Sequence, residues 1–233
     1  MSLTPKRIEK SLKIKIKQIE KMLFELYEDY KSKNQKIITY GRQSLSSSDV
    51  DAVVKTLRSG HLTQGPKISE LENKICKLVG CKYAVAVSSC TAGMHIALSA
   101  VNVKKKQVLL PPITFVSTAN VVLMNGLKPK FIDIDLNSAN LDLDKIFQFN
   151  NLKNVGAIIP VHFGGNPVDI KKLQILRKKN IKIIEDCSQA HGASINNKQV
   201  GSFGEVATWS FCTDKIISTL GEGGMISTNK KKI

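Results

Sequence analysis

One lysine near the C-terminal end of the sequence has the surroundings of a reactive amine. Lys215 sits within Trp209-Ser-Phe-Cys-Thr-Asp-Lys-Ile-Ile-Ser-Thr-Leu-Gly-Glu-Gly-Gly-Met225. A short apolar, β-prone run (Val206 to Phe211) precedes it, and Gly221, Gly223 and Gly224 follow. That order predicts an amine on the loop leaving a buried strand, with small residues behind it so that a ligand or another backbone can come close. A lysine held there can lose its charge through desolvation and attack carbonyl carbons. The plain alternative is a solvated surface lysine, in a chain with 35 lysines and arginines.

Other reactive or charge-binding groups fall at the ends of apolar runs. After Ala84–Ser88 comes Ser89-Cys-Thr-Ala-Gly-Met94, a small-residue turn opening a helix, whose exposed N–H groups and dipole suit an anion. An ordinary cap by Ser89 or Thr91 fits the same residues. The turn lacks the Gly-Lys-Ser/Thr of a Walker A loop, and Gly221–Ile226 is no dinucleotide fingerprint. After Leu110, Pro-Pro-Ile-Thr-Phe115 places an aromatic at a strand end, where core packing is the other use for it. After Ile183-Ile184 comes Glu-Asp186-Cys-Ser-Gln189-Ala-His191-Gly192. A carboxylate directly after a buried strand needs a partner, either a helix cap or a cationic ligand. His61, His95, His162 and His191 show no metal-ligand spacing, so no metal is assigned. A lysine, a phosphate-type helix terminus, an aromatic and a strand-end aspartate on one sheet have one economical explanation, pyridoxal 5′-phosphate (PLP). The amine forms a Schiff base with the aldehyde and the helix terminus binds the phosphate. The aspartate pairs with the protonated pyridine nitrogen, and the aromatic stacks on the ring.

The elements that must position these groups alternate. Strands are expected at 84–88, 108–110, 130–134, 156–161 and 182–185, with further apolar runs at 206–211 and 224–228. Helices are expected from Ser46-Ser-Ser-Asp49 through about Arg58, then over 68–79, 92–101, 117–124 and 169–179, with a loop at Gly60–Pro66. This pattern implies an α/β fold with a mostly parallel seven-stranded sheet and helices on both faces. Ligands of such sheets sit beyond the carboxyl ends of the strands. Ahead of it, residues 1–36 are lysine-rich, and Ile16, Ile19, Leu23, Leu26 and Tyr30 continue a stripe begun by Ile8 and Leu12. That spacing predicts a basic amphipathic helical extension that docks on the body or a partner, with a membrane-surface helix as the lesser alternative. The domain boundaries expected are 1–36 and 37–233.

Composition narrows the class. Hydrophobic content of 42% and charged content of 23% fit a soluble globular protein. No apolar run approaches 18 residues, which excludes a helical membrane span and makes a cytoplasmic setting the default. Five cysteines without zinc or disulfide-framework spacing suit reduced thiols. A net charge of +16 invites a nucleic-acid reading, but the only arginines are Arg7, Arg42, Arg58 and Arg177. Bidentate recognition of bases and phosphates prefers arginine, so no nucleic-acid partner is expected.

Several segments together resemble the DegT/DnrJ/StrS-type sugar aminotransferases. They are Tyr40-Gly-Arg-Gln43, Leu62–Pro66, Ser88–His95, Pro112–Asn120, Ile159–Gly165, Glu185–Gly192, and Ser210–Lys215 through Gly221–Gly224. The resemblance runs continuously from about Ile37 to Asn229. It implies the fold-type I large domain of PLP-dependent transferases and a homodimer with active sites at the interface. The activity it implies is amino transfer, usually from glutamate, to a keto group of a nucleotide-linked deoxysugar in polysaccharide or related sugar biosynthesis. By the same resemblance Lys215 is the Schiff-base lysine and proton carrier, and Asp186 the pyridine-nitrogen partner. Gln189 lies near the cofactor's ring hydroxyl, Phe115 stacks on the ring, and Thr91, the Ala92 backbone and Ser210 hold the phosphate. Related dehydratases carry histidine where Lys215 stands, so lysine favours transamination. Family members continue into a smaller C-terminal domain that this sequence is expected to lack. A catalytically impaired member with a regulatory or scaffold role is the alternative.

Overall fold

The computed structural model describes the backbone of residues 5–33 and 43–233, and the side chains of residues 16–31 and 43–233. The chain divides into two compact units, Met1–Arg42 and Gln43–Ile233. In the first, helix α1 spans Pro5–Lys33, and the stripe residues Ile19, Leu23, Leu26 and Tyr30 are exposed on it. Ile8 and Leu12 as side chains, and Tyr40, Gly41 and Arg42, lie outside the described residues.

The second unit begins with α2 (Ser47–Leu57), for which the sequence supplies a complete start signal. Ser46 caps it, accepting from the Asp49 N–H, while Asp49 reaches back to the Ser46 backbone. Helix α3 (Pro66–Val79) has proline in its first turn and ends at Gly80, whose φ of 73° is the left-handed cap that glycine adopts at no steric cost. There follow β1 (Tyr83–Val87), α4 (Cys90–Ala100), β2 (Gln107–Leu110), α5 (Ser117–Met124) and β3 (Lys128–Phe131). The chain continues through α6 (Leu143–Phe147), β4 (Val155–Ile158), α7 (Ile170–Lys178), β5 (Lys182–Asp186), a hairpin of β6 (Ser194–Ile195) and β7 (Lys198–Gln199), β8 (Val206–Ser210) and β9 (Gly224–Thr228).

Seven strands form one sheet in the order β1-β9-β8-β5-β4-β2-β3. The pairs β8–β5, β5–β4, β4–β2 and β2–β3 are parallel, and β9 runs antiparallel to both its neighbours. This is the mostly parallel α/β sheet expected from the alternation. The two-residue period of each strand divides the core between its faces. Leu109, Ile158 and Ile183 pack in one cluster with Ile146, Leu173 and Leu176 from α6 and α7. Their neighbours Val108, Leu110, Ala157, Ile159 and Ile184 pack in the other, with Met94, Leu98, Val121 and Val122 from α4 and α5. A third cluster joins Trp209, Phe211 and Met225 to Ile75 and Val79 of α3.

Several elements differ from expectation, among them the short helix α6, which no expected helix covered. Strand β3 starts two residues earlier, because Lys128–Phe131 lie in parallel register with Gln107–Leu110, and Pro129 is tolerated on this edge strand. Strand β4 stops at Ile158; Pro160 has no N–H to continue the ladder, and Val161 makes only an isolated bridge to Asp186. The β6–β7 hairpin was not expected. Its turn is Asn196-Asn197, both with positive φ (52° and 58°), a conformation asparagine tolerates.

Candidate active site

Sheet order gathers the groups singled out above. Strands β5 and β8 are parallel neighbours, with Asp186 opposite Thr208, so Asp186 and Ser210 leave the sheet at the same edge. Antiparallel β9 begins there, Gly224 pairing with Ser210 on one side and with Val87, the last residue of β1, on the other. The first turn of α4 therefore stands beside the start of β9. The fit is backbone against backbone: a methyl group on Gly224 would lie 2.4 Å from the Ser89 carbonyl carbon and 2.6 Å from the Cys90 nitrogen. The glycine cluster behind Lys215 thus serves, at Gly224, the approach of the helix terminus. Gly224→Ala is expected to push that turn off the sheet and to cost about 1–3 kcal/mol of stability, read from urea unfolding.

At that turn Ser89 is the N-cap of α4, its Oγ accepting from the Ala92 N–H at 3.1 Å. The capping alternative is therefore present as well. Ala92 spends its N–H on the cap, and the N–H groups of Cys90 and Thr91 are those without an intrahelical acceptor. Asp186 is buried, 3% exposed. Its Oδ1 accepts from the Ser188 N–H (3.0 Å) and hydroxyl (2.6 Å), while Oδ2 has only a long contact, 3.4 Å, from the Thr118 hydroxyl. Lys215 has a side chain only 17% exposed, with Nζ 3.1 Å from Asp214 Oδ2. Asp214 is held below the usual carboxylate range, first by a hydrogen bond from the Cys212 thiol and then by Lys215.

Cys90 opens α4. Burial raises its thiol well above the ordinary range, and the Asp186 charge adds to this; a hydrogen bond with Thr208 and the charge of Lys215 oppose it. Ser210 is buried, its Oγ accepting from the Cys212 N–H at 3.4 Å. Phe115, past the end of β2, is 72% exposed and so lies outside the core. Gln189 Oε1 accepts from the Gly164 N–H at 2.8 Å.

Three contributors are not evident from the sequence. Thr118 and Ser188 complete the hydrogen bonding of Asp186; the Ser188 bonds close a local Asx turn, two residues on, whereas the Thr118 contact comes from 68 residues away and has no local signature. The third is Glu185, fully buried behind Asp186. Its Oε1 accepts from the N–H groups of Phe203 (2.8 Å) and Gly204 (2.6 Å). Its Oε2 accepts from the Gly201 N–H (2.8 Å) and faces His162 Nε2 at 3.1 Å. The Val168 N–H donates to His162 Nδ1 at 3.1 Å, so the imidazole proton sits on Nε2 and points at Glu185. His162, Glu185 and Cys187 bring potential metal ligands within 4.8 Å of one another. Both ring nitrogens and the carboxylate are already committed, so this is a hydrogen-bonded brace.

His191 is buried against Trp209 and Phe211, with ring centroids 5.5 Å from each. Neither ring nitrogen has a well-formed hydrogen bond. Burial, then the charge of Lys215, lowers its pKa from 6.5 to about 4, against a weak opposing contact with the Ser210 backbone. The folded pKa is depressed, so the folded state binds fewer protons than the unfolded chain between those values. Stability from the neutral ring is complete above about pH 6.5 and is lost as pH falls towards 4. The loss is on the order of 3 kcal/mol. Urea unfolding at pH 7 and pH 4 is expected to show that loss in the wild-type chain and to show it removed in His191→Asn.

A cavity of about 840 Å³ lies elsewhere, lined by Asp135, Asp142, Asp144, Asp169 and Lys172 among others. Its carboxylates are used internally. Asp142 and Asp169 cap α6 and α7, Asp144 pairs with Lys172, and Asp135 binds Ser138.

The curated UDP-4-amino-4,6-dideoxy-N-acetyl-beta-L-altrosamine transaminase of Campylobacter jejuni is 40% identical over 200 residues, covering 84% of this chain and 53% of its own. Among solved structures, Helicobacter pylori PseC, an aminotransferase involved in pseudoaminic acid biosynthesis, is 32% identical with a TM-score of 0.78, covering 84% of this chain and 53% of that one. A GDP-4-keto-6-deoxymannose-3-dehydratase with a trapped PLP-glutamate geminal diamine is 28% identical with a TM-score of 0.78, covering 84% and 52%. The chain spans about half the length of these relatives. The model of the DegT/DnrJ/EryC1/StrS aminotransferase family matches residues 43–233, and the chain belongs to that family, whose members use pyridoxal phosphate.

Proposed function

We propose that this chain carries the cofactor-binding half of a transaminase that moves an amino group, supplied by glutamate, onto a keto group of a nucleotide-linked deoxysugar. The observation that carries this reading is one edge of the sheet: Asp186 and Ser210 end parallel neighbours there, the first turn of α4 packs against Gly224 beside them, and the largely shielded Lys215 lies on the loop between β8 and β9. The relatives support the substrate class, since the Campylobacter protein is named a UDP-sugar transaminase.

The residues present fit PLP. The N–H groups of Cys90 and Thr91, with the Thr91 and Ser210 hydroxyls, suit a phosphate, the Ala92 N–H joining them if the Ser89 cap opens. Asp186 Oδ2 retains capacity for an N–H donor, and exposed Phe115 offers an aromatic face. When bound, PLP supplies an aldehyde carbon for an amine and a ring that withdraws electrons from the bond being broken. Lys215, shielded from solvent, provides the attacking amine and afterwards holds and returns a proton between neighbouring carbons. Asp186 keeps the proton on the ring nitrogen, as a buried carboxylate favours a cationic partner.

Residues 1–36 read as an extension outside this domain. Ile96, Phe115, Val116, Leu123 and Met124, in and beside α4 and α5, are all exposed apolar side chains, which supports a homodimer that covers them. Among the described residues no helix is long and apolar enough to cross a membrane. The cysteines are all free thiols, which supports a cytoplasmic setting. Incubation with PLP, glutamate and a nucleotide-linked 4-keto-6-deoxy sugar tests the reading. A sugar product carrying a new amine in the mass spectrum is expected; an unchanged keto sugar contradicts it.

A further inference from the structure

The end of α3 brings two cysteines together at a place that amino transfer does not use. The helix stops at Gly80, and the chain reverses so that the N–H groups of Gly80 and Cys81 both donate to the Cys76 carbonyl, at 2.9 and 3.1 Å. In this closure the residue after the left-handed cap packs against a residue of the final helical turn. Two apolar side chains commonly meet there; here both are thiols. The Cys81 hydrogen bond and the covalent reach on either side of it hold the two α-carbons less than about 7 Å apart. That is within the span of a disulfide.

The side chains meet as well. The Cys81 thiol is pushed up to about 11, first by burial and then by the Cys76 thiol, with which it also shares a hydrogen bond. Both cysteines are half-buried free thiols. The other three are less available: burial holds the Cys90 and Cys187 thiols protonated, and the Cys212 thiol donates to Asp214.

We propose that Cys76 and Cys81 are a modification site, a dithiol that a low-molecular-weight disulfide oxidises to an intrachain disulfide. The Cys76 thiolate attacks one sulfur of the small disulfide and expels half of it as a thiolate. Cys81, held protonated at neutral pH, is the resolving thiol and gives its proton to that leaving thiolate. Its sulfur then attacks Cys76 Sγ and expels the second half, which takes up the proton that Cys76 had released. Two electrons pass from the chain to the small disulfide, leaving one protein S–S bond and two small thiols. Inside the protein one weak contact is given up, the Cys81 thiol donating to the Tyr83 carbonyl at 3.4 Å. The product ties the end of α3 to the lead-in of β1, where the Lys82 N–H already donates to Asn229 Oδ1 at 3.0 Å.

Oxidised glutathione is the probe. The folded chain is incubated with it, remaining thiols are alkylated, and trypsin cuts between the two cysteines at Lys77. Ile75–Lys77 joined to Leu78–Lys82 is expected to exceed glutathione adducts on either peptide by at least about tenfold, because the second step is intramolecular. Glutathione adducts without the joined peptides, or both cysteines recovered alkylated after excess oxidant, overturn the proposal. Cys81→Ser is expected to keep an unresolved glutathione on Cys76; an unmodified Cys76 there overturns its role as the attacking thiol. Repeating the titration in urea separates the fold from nearness in sequence. The folded chain is expected to be half joined at an oxidised-to-reduced glutathione ratio at least about tenfold lower than the unfolded chain. An equal ratio overturns a site built by the fold.

Discussion

Lys215→Ala is expected to abolish covalent capture of PLP and to lower amino transfer by about 10³-fold or more, because the nucleophile and the proton carrier are removed together. Lys215→Arg separates charge from nucleophilicity. It keeps a cation beside Asp214 but cannot deprotonate, so it is expected to fail in the same way while retaining the fold. Unfolding curves close to the wild type for both variants would place the loss in the chemistry. Folded Lys215→Ala that still turned over at more than a tenth of the wild-type rate would remove this lysine from the mechanism.

The largest stability effect is expected at Glu185. Its two oxygens serve Gly201, Phe203, Gly204 and His162, all reached inside the protein. Glu185→Ala leaves those donors facing an apolar gap. Breaking a buried charged network in this way costs about 3–5 kcal/mol, a large share of the 5–15 kcal/mol that about any domain possesses. Glu185→Gln retains one acceptor oxygen and is expected to lose about half as much. The exposed pair Lys145–Asp133, 2.8 Å apart, provides the contrast: Asp133→Asn is expected to change stability by less than about 1 kcal/mol. Urea midpoints of the three variants rank them. A Glu185→Ala midpoint matching that of Asp133→Asn would show the brace to be dispensable.

Those two residues mark where the sequence was legible and where it was not. Lys215 and Asp186 could be singled out because Asp186 closes one buried strand and Lys215 lies on the loop leaving another, and the alternating strands and helices imply a sheet whose carboxyl edge collects such groups. Helix α5 and the Ser46 cap were equally plain, being written in adjacent residues. What stayed hidden is contact between segments far apart in the chain. Nothing near Glu185 announces that its carboxylate collects the N–H groups of residues 201–204, because no period or spacing records a loop's approach. Gly224 reads as room for a ligand or another backbone, and only the fold shows that the Ser89–Cys90 turn fills that room. Gln189 is similar. The sequence places it three residues after Asp186, but the sense of its amide depends on Gly164, which returns from a different strand end.

Lys215 is the amine proposed to engage the cofactor, and borohydride reduction of the protein mixed with PLP tests this most directly. The expected result is a visible absorbance band that reduction converts to a stable adduct, found by peptide mass spectrometry on Lys215. An adduct on other lysines with Lys215 unmodified, or no adduct at all, would contradict the account.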